Sequence, residues 1–246
     1  MPVLARNGRG AAVVSGAGSG IGRAVALMLA GTGFDLVLVG RREEMLLSTA
    51  RPLEKMALVD CIAGDLLDPK TSERVRDCLL YCWGLVHTTD RIVLVNSVGT
   101  AEFGPFVETS VDSIRAQIEV NSVAPLLLCH ALLPHMLRVG GGDIVNISSV
   151  AALTTLANSA AYSAGKAALH SASKVLAAEC RGRGVRITSL LLGATDTPLW
   201  DNQSFVPDRK EMISSRSVAE TVRSILNMPA DCYPDELLLT PPKGVL

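Results

Sequence analysis

The stretch AAVVSGAGSGIGRAVALMLAGTG, residues 11–33, decides the fold. It opens as a short strand, AAVVSG (11–16), and closes as a helical pattern, IGRAVALMLAGTG, ended by Gly31 and Gly33. Gly16, Gly18, Gly20 and Gly22 fall between the two. Glycines in a strand-to-helix turn let backbone N–H groups close on a phosphate, which the helix N-terminus also attracts. The spacing is not GxGxxG, because Ile21 holds the position of its third glycine. What fits is Gly16, three residues, Gly20, one residue, Gly22. Many strand–helix turns carry glycine for geometry alone, but this one sits in the first βαβ unit and reads as nucleotide binding.

The same alternation runs on along the chain. DLVLVG (35–40), ALVDCIAGD (57–65), RIVLVNS (91–97), DIVNISS (143–149), GVRITSLLLG (184–193) and DELLLTP (235–241) hold further strands. Between them lie helical patterns: REEMLLSTARPLEK, stopping near Pro52; TSERVRDCLLYCW, capped by Thr71 or Ser72; and roughly 111–138, 158–181 and 217–228. The strands are continuous apolar runs, as expected when both faces of a sheet are covered. Strand–helix alternation gives a parallel sheet with right-handed crossovers. The expectation is one α/β domain over residues 1–246, a doubly wound Rossmann-type sheet of about seven strands with helices on both faces.

Composition agrees and excludes other classes. Of 246 residues, 48% are hydrophobic and 19% charged, so there is material for a core and no sign of bulk disorder. Aromatics are only 4%, leaving Ala, Val, Leu and Ile to build that core. Net charge is −1 with scattered basic residues, which gives no footprint for nucleic acid or an anionic membrane. Cys61, Cys78, Cys82, Cys129, Cys180 and Cys232 form no CxxC, and His87, His130, His135 and His170 are scattered, so neither a disulfide framework nor a metal site is expected. The start, MPVLARNGRG, has no apolar signal-peptide core, and no uninterrupted apolar run nears the roughly 18 residues of a membrane span. A cytoplasmic location is expected.

Two more features carry chemistry. NAD sites place an acid at the end of the second strand to hold the ribose 2′-hydroxyl. Here Gly40 stands there, Arg41 and Arg42 follow, and Asp35 lies at the wrong end. Arginine makes charge-assisted bonds to a 2′-phosphate, which favours NADP(H) over NAD(H); the bland alternative is a solvated pair bridging Glu43 or Glu44. In AAYSAGKAAL (160–169), Tyr162 and Lys166 are four apart, one helical turn, and share a face. A neighbouring ammonium would favour the phenolate.

Several motifs together resemble the short-chain dehydrogenase/reductase family. They are SGAGSGIG (15–22), Gly64–Asp65, LVNSVG (94–99), Asn121, NISS (146–149), Tyr162 with Lys166, and GATDTPL (193–199). The resemblance runs from about residue 11 to the C-terminus. It implies a nicotinamide cofactor and a catalytic set of Ser149, Tyr162, Lys166 and Asn121. Ser149 precedes Tyr162 by thirteen residues, the separation the family uses, which leaves Ser148 a structural part. Tyr162 would act as general acid/base, Ser149 would donate to the substrate oxygen, and Lys166 would also hold the nicotinamide ribose. Cofactor positions implied by the resemblance are Ser15, Gly16, Gly18, Ser19, Gly20, Ile21 and Gly22 in the first turn. Arg41, Arg42 and Asp65 would lie toward the adenosine, Asn96 and Gly99 after the fourth strand, and Gly193, Thr195 and Thr197 after the sixth. Pro125 has no N–H for the Asn121 carbonyl, so the helix should kink there and free that carbonyl for a water, where the family's proton relay is thought to use one.

The chain departs from the family in three places. Asn96-Ser97-Val98-Gly99 replaces NNAG, Leu192-Gly193 replaces PG, and WGLVHTTD alters the entry to the fourth strand. The segment 198–216 stands where the family builds a substrate lid. Trp200, Phe205, Phe103, Phe106, Leu153 and Leu156 are expected to wall a fairly apolar pocket for a small carbonyl or alcohol. Helix 124–137 is apolar nearly all round and helix 159–180 is rich in Ala and Ser, so a homodimer or homotetramer through these two helices is expected. The competing functions are a non-catalytic NADP(H) sensor on the same fold, and an epimerase or dehydratase of the related extended family, which would need a larger C-terminal substrate domain.

Overall fold

The computed structural model describes residues 10–85, 91–203 and 205–244. The start of the chain, His87 with the middle of the connection before the fourth strand, and Ser204 in the 198–216 segment lie outside the described residues.

Seven parallel strands form one sheet: β1 (Ala11–Ser15), β2 (Asp35–Gly40), β3 (Val59–Ala63), β4 (Ile92–Asn96), β5 (Gly142–Ser149), β6 (Val185–Leu192) and, last in the chain, β9 (Glu236–Leu239). Their spatial order is β3-β2-β1-β4-β5-β6-β9. This is the doubly wound Rossmann-type order, which reverses between β1 and β4 and opens a crevice beyond the carboxyl ends of those strands. Two very short strands, β7 (Thr195–Asp196) and β8 (Ile213–Ser214), pair beside it.

Period-two side chains divide the core. Ala12 and Val14, Leu36 and Leu38, and Val93 and Val95 face α1 (Gly20–Gly31), α2 (Glu43–Ala50) and α7 (Ser215–Leu226). Ala11 and Val13, Val37 and Val39, and Ile92 and Leu94 face α3 (Pro69–Asp77), α5 (Ala124–Val139) and α6 (Ala160–Cys180). All twelve of these strand side chains are fully buried. At the strands' amino ends a buried Asp143 carboxylate bridges Arg91 and Arg186, and both arginines also donate to the Leu226 carbonyl.

The α3 cap differs from the expectation, and two other local features gain detail. The cap of α3 is Asp68, whose carboxylate accepts from Lys70 N at 3.0 Å, with Pro69 in the first turn; Thr71 and Ser72 are buried inside the helix. Asp35, at the start of β2, accepts from Leu58 N at 2.8 Å and joins strands. At Pro125 the helix departs from regular α geometry. α4 (Val111–Ile118) passes through a π-helical turn, Glu119–Val123, into α5, and the Ala124 N–H reaches back to the Glu119 carbonyl. One wide turn absorbs the missing proline donor. Among the described residues, 111–139 is the one helix long and apolar enough to cross a membrane; half of its most apolar window is buried within the protein.

Glycine at the first turn is a packing requirement. A Cβ on Gly22 would stand 2.3 Å from the Gly16 carbonyl oxygen, whereas one on Gly31, at the other end of α1, would touch nothing within 4 Å. Gly22→Ala should cost about 1–3 kcal/mol and lower Tm by roughly 3–10 °C. Gly31→Ala should be neutral or stabilising by up to about 1 kcal/mol. Thermal unfolding of the two variants checks the contrast, and equal Tm values would contradict this account of the turn.

Candidate active site

A cleft of about 850 Å³ lies over the carboxyl ends of the strands. One end is the first turn. Gly16 and Gly20 are left-handed, at φ +66° and +49°. Ser19 precedes α1 with extended backbone and caps nothing with its side chain, and the first turn of α1 holds no acid. The N-terminal N–H groups of a twelve-residue helix therefore meet the cleft beside Gly18 and Ile21. Arg41, Arg42 and Asp65 line the same end. Both arginines are exposed, and among the described residues no ion pair joins them to Glu43 or Glu44.

At the other end stand Ser149, Tyr162, Lys166 and Asn121. Ser149, the last residue of β5, is buried and its hydroxyl accepts from Ala151 N at 3.1 Å. Ser148 points elsewhere and donates to the Lys166 carbonyl at 3.3 Å. Tyr162 and Lys166 sit on successive turns of α6, with Lys166 Nζ 6.0 Å from the phenol ring centre. That ammonium is buried and donates to the Ile147 carbonyl at 2.9 Å. Among the described residues this is its one acceptor, and an ammonium has three N–H groups to place. Asn121 is fully buried and both donors of its amide are engaged: Nδ2 donates to the carbonyls of Thr100 and Gln117, and Oδ1 accepts from Thr100 N. Its backbone carbonyl also lacks the usual helical partner, because Pro125 has no N–H.

α6 comes this close because Gly165 has no side chain. A Cβ there would lie 2.8 Å from the Gln117 carbonyl oxygen and 3.0 Å from Asn121 Cβ. Gly99 is similar, with Asn121 Oδ1 and Lys166 Nζ at 3.0 and 3.5 Å from its missing Cβ.

The electrostatics differ from the expectation of an activated phenolate. Burial raises the Tyr162 pKa above its ordinary value, and a hydrogen bond from Ser149 pulls part of it back. Burial lowers Lys166 to about 8. In the protein alone both groups thus shift toward their neutral forms, because each loses water and they are not in direct contact.

Three positions expected to touch cofactor lie one layer behind the wall. Ser15 and Asn96 are buried, and Gly22 faces the Gly16 carbonyl. The Ser15 hydroxyl accepts from Ser97 N and Val98 N at 3.1 and 3.3 Å and so shapes the LVNSVG turn that does line the cleft. Gly99, Gly193, Thr195 and Thr197 all reach it. Gly193 takes the place of bulk: a Cβ would meet Pro241 Cδ at 2.8 Å.

The aromatic walls are also redistributed. Phe103, Leu156 and Trp200 line the cleft. Phe106 and Leu153 line a second depression of about 450 Å³ next to it, and Phe205 is 69% exposed. Sequence reasoning missed Gln203. Its Oε1 accepts from Phe103 N at 3.1 Å, and its Nε2 donates to the carbonyls of Ala101 and Leu199 at 2.8 and 3.0 Å. No local signal marks a polar residue whose three partners lie a hundred residues away or depend on the turn it sits in.

The family model for short chain dehydrogenases matches residues 10–205. The chain belongs to the short-chain dehydrogenase family. This dehydrogenase is 33% identical over 232 residues to an oxidoreductase of Staphylococcus saprophyticus, across 94% of this chain and 96% of the relative. Among solved structures it is similar to an alcohol dehydrogenase of the archaeon Thermococcus sibiricus complexed with 5-hydroxy-NADP, at 27% identity and a TM-score of 0.82 over 94% of this chain and 95% of the other. It is also similar to a metagenomic short-chain oxidoreductase in complex with NADP, at 29% identity and a TM-score of 0.80 over 96% and 98%. A short-chain dehydrogenase is an oxidoreductase, and the two-ended cleft is where its chemistry would be housed.

Proposed function

We propose that the chain is an NADP(H)-dependent oxidoreductase that reduces a ketone or aldehyde to an alcohol, or runs the reverse reaction, with Tyr162 as general acid/base. One observation carries this: Ser149, Tyr162 and Lys166 line the same cleft as the N-terminus of α1 and Arg41 and Arg42, which have no ion-pair partner among the described residues. The two similar structures named above hold NADP or a derivative.

The residues present fit such a cofactor. The N-terminal N–H groups of α1 and the left-handed Gly20 would take the pyrophosphate, and Arg41 and Arg42 would take a 2′-phosphate. Asp65 would face the adenine, and Lys166 has N–H groups to spare for the nicotinamide ribose. When bound, the cofactor supplies the hydride.

The chain's own groups do the rest. Ser149 Oγ donates to the substrate oxygen, where negative charge develops in the transition state. Tyr162 gives that oxygen its proton; a raised pKa keeps the phenol protonated at neutral pH, which suits the reductive direction. The Lys166 ammonium stabilises the phenolate left behind. The Asn121 carbonyl can hold the water that returns a proton. A sensor that binds without turnover would share the cofactor end, but it has no use for the Ser149–Tyr162 end. We also propose a homodimer or homotetramer through α4–α5 and α6, where Val111, Val123 and Val175 are exposed.

Three outcomes are expected. Tyr162→Phe should abolish turnover of a ketone panel, followed by NADPH absorbance, while its NADPH affinity stays within a few-fold of wild type; retained turnover refutes the assignment. Arg41→Ala should weaken NADPH binding by roughly tenfold or more and NADH binding little, since about 1.5–3 kcal/mol attaches to a charged hydrogen bond; equal losses argue against a 2′-phosphate site. The pH profile follows from Lys166. Deprotonation above about 8 removes its positive charge, so kcat/KM for reduction should be level through neutral pH and fall above about 8. Whatever activity Lys166→Arg retains should lack that limb, because arginine keeps its proton.

A further inference from the structure

We propose that the substrate end of the cleft selects an uncharged carbonyl compound bearing a flat apolar ring, and that Gln203 holds the aromatic wall that recognises it. This rests on the reductase reading above. Phe103 stands edge-on to Tyr162, centroids 5.5 Å apart at 77°, and lies against Trp200 at 5.4 Å and 31°. A carbonyl reaching the Tyr162 hydroxyl therefore passes along a continuous aromatic surface, in a chain with few aromatics to spend there.

The wall joins two segments distant in sequence. Trp200 belongs to the lid segment, where its indole N–H donates to the Thr195 carbonyl at 3.0 Å, and Arg209 ties Asp196 and Asp201 into the same unit at 2.8 and 2.6 Å. Phe103 belongs to the loop after β4, which the Asn158 carbonyl holds from the far side through Gly104 N at 2.9 Å. Gln203 fastens one to the other: its amide accepts from Phe103 N and donates to Ala101 O, both across the gap, and to Leu199 O on its own side. A glutamate of the same shape keeps the first bond and turns the other two into oxygen–oxygen repulsions.

The charges point the same way. Arg41 and Arg42 belong to the phosphate end, and Lys166 is committed beside Tyr162. No other cation lines the cleft among the described residues, and Asp201 at its rim is paired with Arg209. An anionic substrate would give up hydration here with no counter-charge, whereas a neutral ring gains aromatic contact worth roughly three- to tenfold in binding.

The test compares acetophenone, cyclohexyl methyl ketone and 4-acetylbenzoate with the NADPH-loaded enzyme. In wild type, kcat/KM for acetophenone should exceed that for 4-acetylbenzoate by more than tenfold. Intrinsic reactivity differs between aryl and alkyl ketones, so ring recognition is read from variants: Trp200→Leu and Gln203→Glu should each cut the acetophenone-to-cyclohexyl ratio by roughly three- to tenfold, with unchanged NADPH affinity and circular dichroism. Saturation-transfer NMR of the same three compounds, with and without NADP, reads the preference without turnover. Ring preference in binding with no turnover sustains this proposal and sinks the reductase reading. Equal handling of the carboxylated ketone, ratios untouched by both variants, or no binding of the ring compounds overturns the proposal.

Discussion

A chain of buried hydrogen bonds runs beneath the cleft, and the site depends on it. Asn96 Nδ2 donates to Asn146 Oδ1 at 2.8 Å and to the Pro125 carbonyl at 3.3 Å. Asn146 Nδ2 donates to Ser173 Oγ at 2.8 Å, and Ser15 Oγ lies 3.4 Å from Asn96 Oδ1. The ends of β1 and β4, the middle of β5, the first turn of α5 and α6 are thus joined by polar groups with almost no access to water. Unpaired, each would cost on the order of 1–3 kcal/mol, so the set is self-enforcing: no element can slide without orphaning a partner. That rigidity lets Ser149 on β5 and Tyr162 on α6 share one small volume.

The same depth that fixes the geometry sets the charge state. Lys166 is moved down and Tyr162 up because both lose solvent in a wall built to be dry. Sequence reasoning placed the pair correctly on one helical face. Spacing reports proximity along a helix, whereas the 6.0 Å from ammonium to ring and the loss of water, which raises the Tyr162 pKa in the protein alone, are tertiary facts. Lys166 keeps its value as a charge that can be recruited rather than one already spent.

What was legible follows from what is local. Alternating apolar runs and the positions of Gly16, Gly20 and Gly22 are set by backbone sterics within a few residues, so strands, helices and the phosphate-type turn could be read directly. The missing N–H of Pro125 is equally local, but the wide turn that accommodates it, packed against α6 at Gly165, is a tertiary feature. Asp68 outcompetes Thr71 as a cap because Pro69 fixes the first helical residue, a cue present in the sequence and passed over. Ser15 and Asn96 carry family positions yet face inward, since a motif records where residues recur and not which layer they occupy.

Gln203, Phe103 and Trp200 lie beyond that horizon for a deeper reason. The motif-bearing parts of the chain are tied to the sheet, whose register fixes them to fractions of a residue. The wall over Tyr162 is joined by one amide, one indole N–H and Arg209, across a separation of about a hundred residues, and it meets the scaffold through Glu102 N on Gln117 and Gly104 N on the Asn158 carbonyl. A scaffold can keep hydride-transfer geometry constant while such a wall is rebuilt, because the side chains of Trp200, Phe103 and Gln203 make none of the hydrogen bonds of the buried polar seam. Reaction type is therefore written into the sheet and its polar seam, and choice of substrate into a few contacts that the seam does not constrain.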